Sequence, residues 1–444
     1  MILAGSFALV IVAGTLLLSL SFAHAGDTVS PLDALFTATS AVCVTGLTVL
    51  DTGTRFSPAG QAVILALIQT GGLGLMTFAV FMGVVLGRKV AFTDRMLIQE
   101  SMQHSPKAGV RRLVRYVLTF TLAVEAAGAA LLWLRFRGQF PAGQAIWQSV
   151  FHSVSAFCNA GFGLLPDNLV QYRADLLVNL AITGLIVVGG LGFLVNMELW
   201  DGARASLRGG RAPRLTLHAR LALVVTAALL AVGTVAFLLL EWGNVLRGLP
   251  LGERLLAAWF SSVTPRTAGF NTIDYGQVGS DTLFVTIFLM FVGASPGSTG
   301  GGIKTTTFGL LVALVVARWR GRGRATLFHR TIPHAVMDRA LLLALLAWAL
   351  VSLAIALLVA TETHGVPFGV AEPRFVALMF EAVSAFGTVG LSTGITAALS
   401  APGKVVLVAL MFAGRVGPLT LVLAVGPRHE RGRFRYAEEN VMVG

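Results

Sequence analysis

The sequence is poor in charge: only 12% of its 444 residues are Asp, Glu, Lys or Arg, while 55% are hydrophobic. A soluble domain carries roughly 25% charged residues, so this composition excludes an ordinary soluble fold and predicts an integral membrane protein. Cysteine is almost lacking, and two cysteines exclude both a disulfide framework and a cysteine-based metal site. The eight histidines are scattered, and the apolar segments hold no paired carboxylates or nucleophile–base pair. A membrane enzyme is therefore disfavoured.

One short segment, in contrast, occurs four times and ends each time in glycine. The glycines lie 115, 108 and 121 residues apart, which is too long for a solenoid repeat and typical of a duplicated domain. Four such loops can surround one axis, and a ring of backbone carbonyls on an axis holds a dehydrated cation. We therefore predict an ion filter whose ligands are the backbone carbonyls of four filter loops. These loops are Cys43-Val44-Thr45-Gly46, Cys158-Asn159-Ala160-Gly161, Arg266-Thr267-Ala268-Gly269 and Gly387-Thr388-Val389-Gly390.

Apolar stretches flank each filter loop, and the run directly before each loop is too short to cross a membrane. The predicted fold is an all-α integral membrane protein with four pseudo-fourfold repeats of helix, pore helix, filter loop and helix around one central pore. The pore helices point their partially negative C-terminal ends at the loops, which favours a cation. Repeat 2 is expected to close on one helix over 176–199. The predicted segments are repeat 1 (1–87), a basic loop (88–115), repeat 2 (116–200), a loop (201–214), repeat 3 (215–317), a loop (318–334), repeat 4 (335–425) and a tail (426–444).

The apolar run at residues 2–22 raises the alternative of a cleaved signal peptide, because Ala23-His24-Ala25 resembles a cleavage site. This run is longer than the usual apolar region of a signal peptide, and no basic residue precedes it. Its removal would also leave the first repeat without its opening helix. We expect residues 2–22 to be a retained transmembrane helix.

The basic residues predict the orientation of the chain. The formal net charge is +12, but the basic residues lie between apolar segments rather than on a soluble module, so nucleic-acid binding is disfavoured. Residues 88–116, 200–220, 318–339 and the tail from 426 hold 22 of the 33 basic residues. Because basic loops stay in the cytoplasm, we predict that both termini are cytoplasmic and that the filter loops enter from outside.

Glycine and proline interrupt the closing segment of repeat 3 over residues 294–305, here called the gating loop. Such a segment cannot hold a regular helix. It partly resembles a phosphate-binding P-loop, but Ile303 stands where that motif needs lysine and no strand precedes it. We predict instead a gate below the filter. Its residues are Ser295, Pro296, Gly297, Ser298, Thr299, Gly300, Gly301 and Gly302, together with Lys304 and Arg415.

Arg415 and Lys304 are basic residues within apolar segments. An intramembrane arginine is costly and usually functional, so we predict that Arg415 restrains the gating loop and repels cations at the constriction. The alternative is a structural pairing with helix carbonyls. Lys304 either belongs to the gate or extends its amine toward the membrane surface. Arg266, inside the third filter loop, is expected to point its side chain away from the ion, toward the pore helix or acidic neighbours.

The filter motifs and the interrupted helix together resemble a known family. The loops ending in Gly46, Gly161, Gly269 and Gly390, the Ser295–Gly301 interruption and Arg415 are similar to features of the Trk/Ktr/HKT superfamily of cation transporters. The resemblance covers the whole chain. Because the sequence opens directly on the first repeat, without two additional leading helices, the KtrB-type membrane subunit is the expected subgroup.

The resemblance implies potassium-selective uptake across the bacterial inner membrane. Members with serine at the first filter glycine favour sodium, so Gly46 implies K⁺ selectivity. It also implies a homodimer on a cytosolic KtrA-like ring that binds nucleotide, with Na⁺ as a stimulating ion and no cofactor held by this chain. The irregular loops, with Asn159 in the second and Arg266 in the third, predict weaker selectivity than a ring of four identical loops.

Two transport alternatives stay open on the sequence alone. A secondary transporter with alternating access also has helices broken at the membrane midplane, although usually in paired or inverted repeats. It would show saturating, stoichiometrically coupled flux. A sodium- or ammonium-permeable channel on the same scaffold differs in ion preference, which flux measurements with substituted ions distinguish.

Overall fold

The computed structural model describes residues 2–26, 28–74, 106–210 and 214–417. Most of the predicted loop at 88–115 and the whole predicted tail at 426–444 lie outside the described residues. One antiparallel hairpin is present, formed by β1 (Thr326–Leu327) and β2 (Arg330–Thr331). Turns of 3₁₀ helix cover Ser21–Ala23, Val170–Tyr172 and Thr396–Ala398. The helices are α1 (Ile2–Leu18), α2 (Pro31–Val42), α3 (Thr52–Arg55), α4 (Pro58–Gly72), α5 (Pro106–Phe136), α6 (Ala142–Phe157), α7 (Leu176–Leu191), α8 (Phe193–Leu207), α9 (Leu217–Leu240), α10 (Leu251–Val263), α11 (Ser280–Phe291), α12 (Thr305–Trp319), α13 (His334–Glu362), α14 (Phe368–Gly387) and α15 (Ala401–Val416).

Serine caps define where several helices begin. Ser30 precedes Pro31, and its hydroxyl accepts a hydrogen bond from a backbone N–H in the first turn of α2. Ser57 does the same for α4, and Ser400 for α15. A serine cap satisfies an N–H that has no partner within the helix, and proline in the first turn loses nothing because its missing N–H would be unpaired there.

Three helices within the described residues are long and apolar enough to cross a membrane. They are Arg115–Phe136 within α5, Leu217–Leu240 and His334–Glu362. The bent pair α7 and α8 becomes a fourth if it is counted as one span. The shorter α11 and α12 are apolar as well and lie on either side of the gating loop.

The helices that flank successive filter loops pack against one another in a cycle. Helix α4 packs on α6, α7 on α10, and α11 on α14. The cycle closes because α15 packs on α2. A salt bridge of 2.8 Å between the Lys404 ammonium and the Asp33 carboxylate joins these last two helices. The helices that precede the four filter loops, here called the pore helices, are α2, α6, α10 and α14, and each of them takes part in this cycle of contacts.

Glycines allow three closing helices to approach the C-terminal ends of the pore helices. Each of these glycines lies against the last or next-to-last carbonyl group of a pore helix, where an added Cβ would overlap the oxygen. We expect alanine at any of them to separate the two helices, because the obstacle is backbone and cannot rotate away. The distance from such a Cβ to the carbonyl oxygen is 2.0 Å for Gly71 and Val42, 2.0 Å for Gly189 and Phe157, and 1.9 Å for Gly414 and Phe386.

The prediction of one helix over 176–199 is wrong. The chain breaks at Gly192, where α7 and α8 meet at an angle of 107°. Gly192 has φ +90°, and a Cβ at this position would lie 2.5 Å from the carbonyl oxygen of Pro296. Its neighbour Phe193 donates its N–H to the Gly297 carbonyl at 3.0 Å. The gating loop therefore occupies the path of a straight helix, and α8 continues to Leu207 inside the segment predicted as the 201–214 loop.

Candidate ion filter and gate

The four filter loops share one backbone conformation. The residue two positions before each terminal glycine has a positive φ, and so does the glycine itself. Residues other than glycine rarely adopt this left-handed region, so its occurrence at one register in all four loops indicates a common geometry. The φ values are 55° at Val44, 59° at Asn159, 65° at Thr267 and 50° at Thr388.

The loops also fold their N–H groups back onto the pore helices. In every loop, the residue before the terminal glycine donates its N–H to a carbonyl at the C-terminal end of its own pore helix, which in the third loop is the carbonyl of the C-cap residue Thr264. With the N–H groups directed backward, carbonyl groups are left to face the neighbouring loop. The N–H to carbonyl distances are 2.8 Å from Thr45 to Ser40, 2.8 Å from Ala160 to Ser155, 3.0 Å from Ala268 to Thr264 and 2.8 Å from Val389 to Ser384.

The terminal glycines face one another in a closed cycle. The terminal glycine of each loop lies against a carbonyl oxygen of the following loop, and that carbonyl belongs to the residue directly before the following loop's own terminal glycine. The fourth loop contacts the first loop in the same way. Only a residue without a side chain fits so close to a neighbouring carbonyl. A Cβ would lie 2.4 Å from the Ala160 oxygen at Gly46, 2.9 Å from the Ala268 oxygen at Gly161, 2.5 Å from the Val389 oxygen at Gly269 and 2.1 Å from the Thr45 oxygen at Gly390.

The first residues of the filter loops lie against other elements of the chain. Cys43 and Cys158 are buried free thiols, and the Cys158 Sγ lies 3.4 Å from Oε1 of Gln69 on α4. A Cβ on Gly387 would lie 2.6 Å from the carbonyl oxygen of Met290. Arg266 points away as predicted, but its guanidinium contacts Thr226 of α9 at 3.3 Å rather than a pore helix or an acidic side chain.

The gating loop lies directly against the third and fourth filter loops. The Gly301 N–H donates to the Thr388 hydroxyl at 3.0 Å. At Gly300, an added Cβ would lie 2.0 Å from Oγ1 of Thr267. The Ser295 N–H donates to the Gly190 carbonyl at 3.0 Å, which attaches the loop to α7. The side chains of two left-handed filter residues, Thr267 and Thr388, therefore touch the loop.

Arg415 connects the gating loop to the first repeat. Its Nη1 donates to the Thr299 carbonyl of the loop, and its Nη2 donates to the Gly71 carbonyl at the end of α4. Both bonds are charge-assisted, the stronger class of protein hydrogen bond. One side chain thus contacts both a carbonyl of the gating loop and a carbonyl of a helix, and the restraint of the loop by Arg415 stays a prediction. The sequence did not reveal Gly71 as the second partner.

Lys304 folds onto the gating loop instead of extending away from it. Its Nζ donates to the Gly300 carbonyl at 2.7 Å and to the Gly301 carbonyl at 3.3 Å. The loop's other fixed points are a hydroxyl contact of 2.8 Å between Ser295 and Thr305 and a bond of 2.8 Å from the Gly293 N–H to the Ile303 carbonyl. These contacts hold the loop as one compact unit between α11 and α12.

The sequence as a whole matches the family described as "TrkH: Cation transport protein" over residues 1–435. This chain belongs to that family. It is 41% identical over 448 residues to the potassium/sodium uptake protein NtpJ of Enterococcus hirae, covering all of this chain and 96% of the relative. It is 40% identical to the Ktr system potassium uptake protein B of Bacillus subtilis, again over all of this chain and 96% of the relative.

A solved structure agrees with this assignment at the level of the fold. The potassium transporter TrkH from Vibrio parahaemolyticus matches with a TM-score of 0.72 at 20% identity, covering 96% of this chain and 85% of that one. The resemblance stated above is thereby confirmed as family membership. As a TrkH-family cation transporter with several apolar helices, the chain is a multi-pass membrane protein.

In this TrkH-family chain, a set of hydroxyl residues supports the filter loops and was missed by the sequence analysis. Ser40 and Ser384 accept hydrogen bonds from the N–H groups of Gly46 and Gly390, at 3.0 and 3.1 Å. Ser155 instead donates to the Phe162 carbonyl at 2.8 Å. Thr264 donates to the Phe270 carbonyl in the third loop. The signal was present as a hydroxyl residue five or six positions before each glycine.

We expect Ser384→Ala to weaken the fourth filter loop without removing the fold. The substitution deletes the acceptor of the Gly390 N–H, and a lost hydrogen bond of this kind costs about 1 kcal/mol of unfolding free energy. Relaxation of Gly390 should lower the ratio of K⁺ to Na⁺ flux in liposomes. Ser149→Ala is the matched control, since the buried Ser149 hydroxyl bonds only the Ala145 carbonyl of its own helix. An equal loss of selectivity in both variants would contradict a role for Ser384 in the loop.

Proposed function

We propose that this chain carries K⁺ across the bacterial inner membrane through a pore at the centre of its four filter loops. The closed cycle of terminal glycines is the observation that carries the proposal. In this cycle the backbone carbonyl oxygens of Thr45, Ala160, Ala268 and Val389 each lie against the terminal glycine of a neighbouring loop, which supports a ring of four carbonyls. A ring of carbonyl oxygens replaces the hydration shell of a cation without placing a fixed charge in its path.

The pore helices add to the electrostatic attraction. Helices α2 and α6 end directly before their filter loops, at Val42 and Phe157. Helix α10 ends at Val263, with Thr264 and Pro265 between it and its loop, and α14 runs into its loop and ends at Gly387. The C-terminal end of a helix carries a partial negative charge of about half an elementary charge. Four such ends directed at one site favour a monovalent cation over an anion.

The gating loop and Arg415 would close this pathway on the inner side of the filter. The loop touches Thr267 and Thr388 on one side and is attached through Arg415 to α4 on the other. Conduction then requires that the loop move, which breaks the Arg415 contacts. The guanidinium adds a positive charge at the constriction, which opposes a cation while the loop is in place.

A sodium-permeable transporter is the second candidate. It is favoured by one relative, at 41% identity, whose name describes potassium and sodium uptake. Potassium uptake alone is named for two relatives called Ktr system protein B, at 40% and 38% identity. Glycine at the end of all four loops leaves no side chain to narrow the ring toward the smaller ion, so we assign K⁺ as the preferred substrate.

Regulation by a cytosolic subunit and assembly as a homodimer complete the proposal. Relatives named as parts of a Ktr system indicate that other components take part. We propose that the basic segments, with 22 of the 33 basic residues, face the cytoplasm and dock a KtrA-like ring that binds nucleotide, and that Na⁺ stimulates the flux.

Ion flux in liposomes that contain only this protein tests the proposal. A K⁺ gradient and an equal Na⁺ gradient are applied in turn, and we expect K⁺ flux to exceed Na⁺ flux. Equal fluxes would favour the second candidate. Flux of either ion that saturates and is stoichiometrically coupled to another ion would instead favour alternating access and contradict a continuous pore.

A further inference from the structure

An apolar groove lies on the outer face of the third repeat, away from the filter. It has a volume of about 500 Å³ and runs between α9, α11 and α12. Its walls include Val224, Ala228 and Val232 of α9, and Phe288 and Val312 of the two helices that flank the gating loop. These side chains are exposed, and Val232 has 61% of its surface accessible.

The groove is apolar along its length but basic at one end. Arg320 and Arg322 line that end together with Thr326. Within the described residues, no salt bridge involves either arginine. Both guanidinium groups therefore keep their donors available for an anion from outside the chain.

The backbone fixes the two arginines beside the groove. Gly321, between them, has φ +67°, and its N–H donates to the Arg318 carbonyl at 3.0 Å. The Arg322 N–H donates to the Ala317 carbonyl at 2.8 Å. This pair of bonds is the Schellman motif that ends a helix, and it turns the chain back so that both arginines remain at the end of α12.

The following hairpin extends the basic end over the groove. Its turn consists of Phe328 and His329, both with positive φ, as a two-residue hairpin of this hand requires. Ala325 and Ile332, on either side of the hairpin, are buried and pack with Ala317 and Met337. The hairpin is thus anchored to the helices, and its side chains Thr326 and Phe328 line the groove as fixed parts of its wall.

We propose that this groove binds one anionic phospholipid, with an acyl chain along α9 and the phosphate held by Arg320 and Arg322. Acyl chains are as apolar as the side chains of the groove, so contacts along the groove do not distinguish one lipid from another. Selectivity must come from the basic end, since guanidinium groups form paired hydrogen bonds with phosphate oxygens. In the proposed orientation, the occupant comes from the cytoplasmic leaflet.

The bound acyl chain would contact both sides of the broken helix. Phe288 on α11 and Phe308 on α12 meet edge to face, with ring centroids 5.9 Å apart. Both rings line the groove, and the gating loop lies between them in sequence. A lipid that packs on this pair stabilises one arrangement of α11 relative to α12, and therefore one position of the loop. This second step rests on the proposed transport function, whereas the binding step does not.

Binding is tested by native mass spectrometry of the purified full-length chain after exchange into phosphatidylglycerol or phosphatidylcholine. We expect the protein to retain phosphatidylglycerol in preference. The double variant Arg320→Gln/Arg322→Gln should retain roughly tenfold less of it, because each basic residue contributes to the attraction. Arg318→Gln/Arg324→Gln is the matched control, with the same charge lost from the same segment but outside the groove. Equal losses in both double variants would reduce the effect to general surface charge and overturn the proposal.

A second pair of variants tests the groove itself. Ala228→Phe fills it from an exposed position on α9, while Ala227→Phe adds the same ring one residue away, where it does not line the groove. We expect only Ala228→Phe to lose phosphatidylglycerol. Retention of phosphatidylglycerol by Ala228→Phe would contradict the proposal. A loss of the dimeric state in Ala228→Phe with lipid binding unchanged would also contradict it, because the groove would then bind a second copy of the chain.

Flux measurements separate the second step from the first. In liposomes with phosphatidylglycerol, we expect a higher flux than in phosphatidylcholine alone for the unmodified protein and for Arg318→Gln/Arg324→Gln. The response should vanish in Arg320→Gln/Arg322→Gln. Lipid binding without any flux would refute the transport proposal and leave the site intact, and flux with no lipid response would refute only the coupling.

Discussion

Gly390→Ala is expected to reduce ion flux about 10- to 100-fold while the protein still folds in the membrane. Gly390 has φ +92°, and a Cβ there would lie 2.1 Å from the Thr45 carbonyl oxygen and 2.9 Å from the Gly46 Cα. These atoms are backbone, so relief requires that the first and fourth filter loops move apart. Overpacking of this kind costs about 1–3 kcal/mol, and each 1.4 kcal/mol or so on a barrier changes a rate roughly tenfold.

Gly394→Ala is the control that isolates the contact from the backbone strain. Gly394 lies four residues further along the same loop region and has φ +94°, but no atom lies within 4 Å of a Cβ at that position. At either glycine, holding alanine in the left-handed conformation costs about 1–2 kcal/mol of folding free energy. We expect Gly394→Ala to lower the thermal unfolding temperature less than Gly390→Ala does, because it adds only the backbone strain, and to leave the flux nearly unchanged.

For alanine variants of the other filter glycines, the loss of flux should be larger where the distance from the added Cβ to the neighbouring carbonyl oxygen is shorter. Gly161 has the widest clearance in the cycle, 2.9 Å from a Cβ to the Ala268 oxygen, and Gly390 has the narrowest. Gly161→Ala should therefore retain the most flux of the four alanine variants. K⁺ flux in liposomes, normalised to correctly folded protein, measures the series. Equal flux in Gly390→Ala and Gly394→Ala would show that the contact with Thr45 has no role in conduction.

The repeated glycine-ended motif in the sequence was sufficient to locate the four filter loops, although not the helix break at Gly192. The four filter loops were identified because each ends in glycine after a short apolar run, and the structure gives all four the same pair of positive φ values. The helix directly before the second loop, Ala142–Phe157, is short, as the sequence predicts. These features depend on local chemistry, because glycine is required where a loop approaches another backbone closely. The residue type at that single position therefore indicates the close approach.

Contacts between distant segments were beyond such reasoning. The break at Gly192 arises because Pro296 and Gly297, a hundred residues later, occupy the path of the helix. The partner of Arg266 is a threonine on α9, which no pattern around Arg266 indicates. Similarly, no local pattern around Gly71, Gly189 and Gly414 indicates that these glycines allow close packing on the carbonyls of Val42, Phe157 and Phe386.

Arg415→Ala is expected to raise K⁺ flux, by roughly tenfold if the gating loop limits conduction. The substitution removes both charge-assisted hydrogen bonds, one to the Thr299 carbonyl of the loop and one to the Gly71 carbonyl of α4. Bonds to charged groups contribute about 1.5–3 kcal/mol each. Their loss shifts the population toward loop positions that leave the pathway open. The free energy of this shift is at most the free energy by which Arg415 stabilises the closed position of the loop.

Arg415→Lys and Arg415→Gln separate restraint from electrostatic repulsion. Lysine keeps the positive charge, but its single ammonium cannot reproduce the fork that joins two carbonyls on different segments. Glutamine removes the charge and keeps one donor group. If restraint dominates, flux should rise in both variants. If repulsion dominates, it should rise only in Arg415→Gln and Arg415→Ala. Each variant is compared with the unmodified protein by single-gradient flux at equal protein density. Unchanged flux in a folded Arg415→Ala protein would remove Arg415 from the gate and leave it a helix-packing residue.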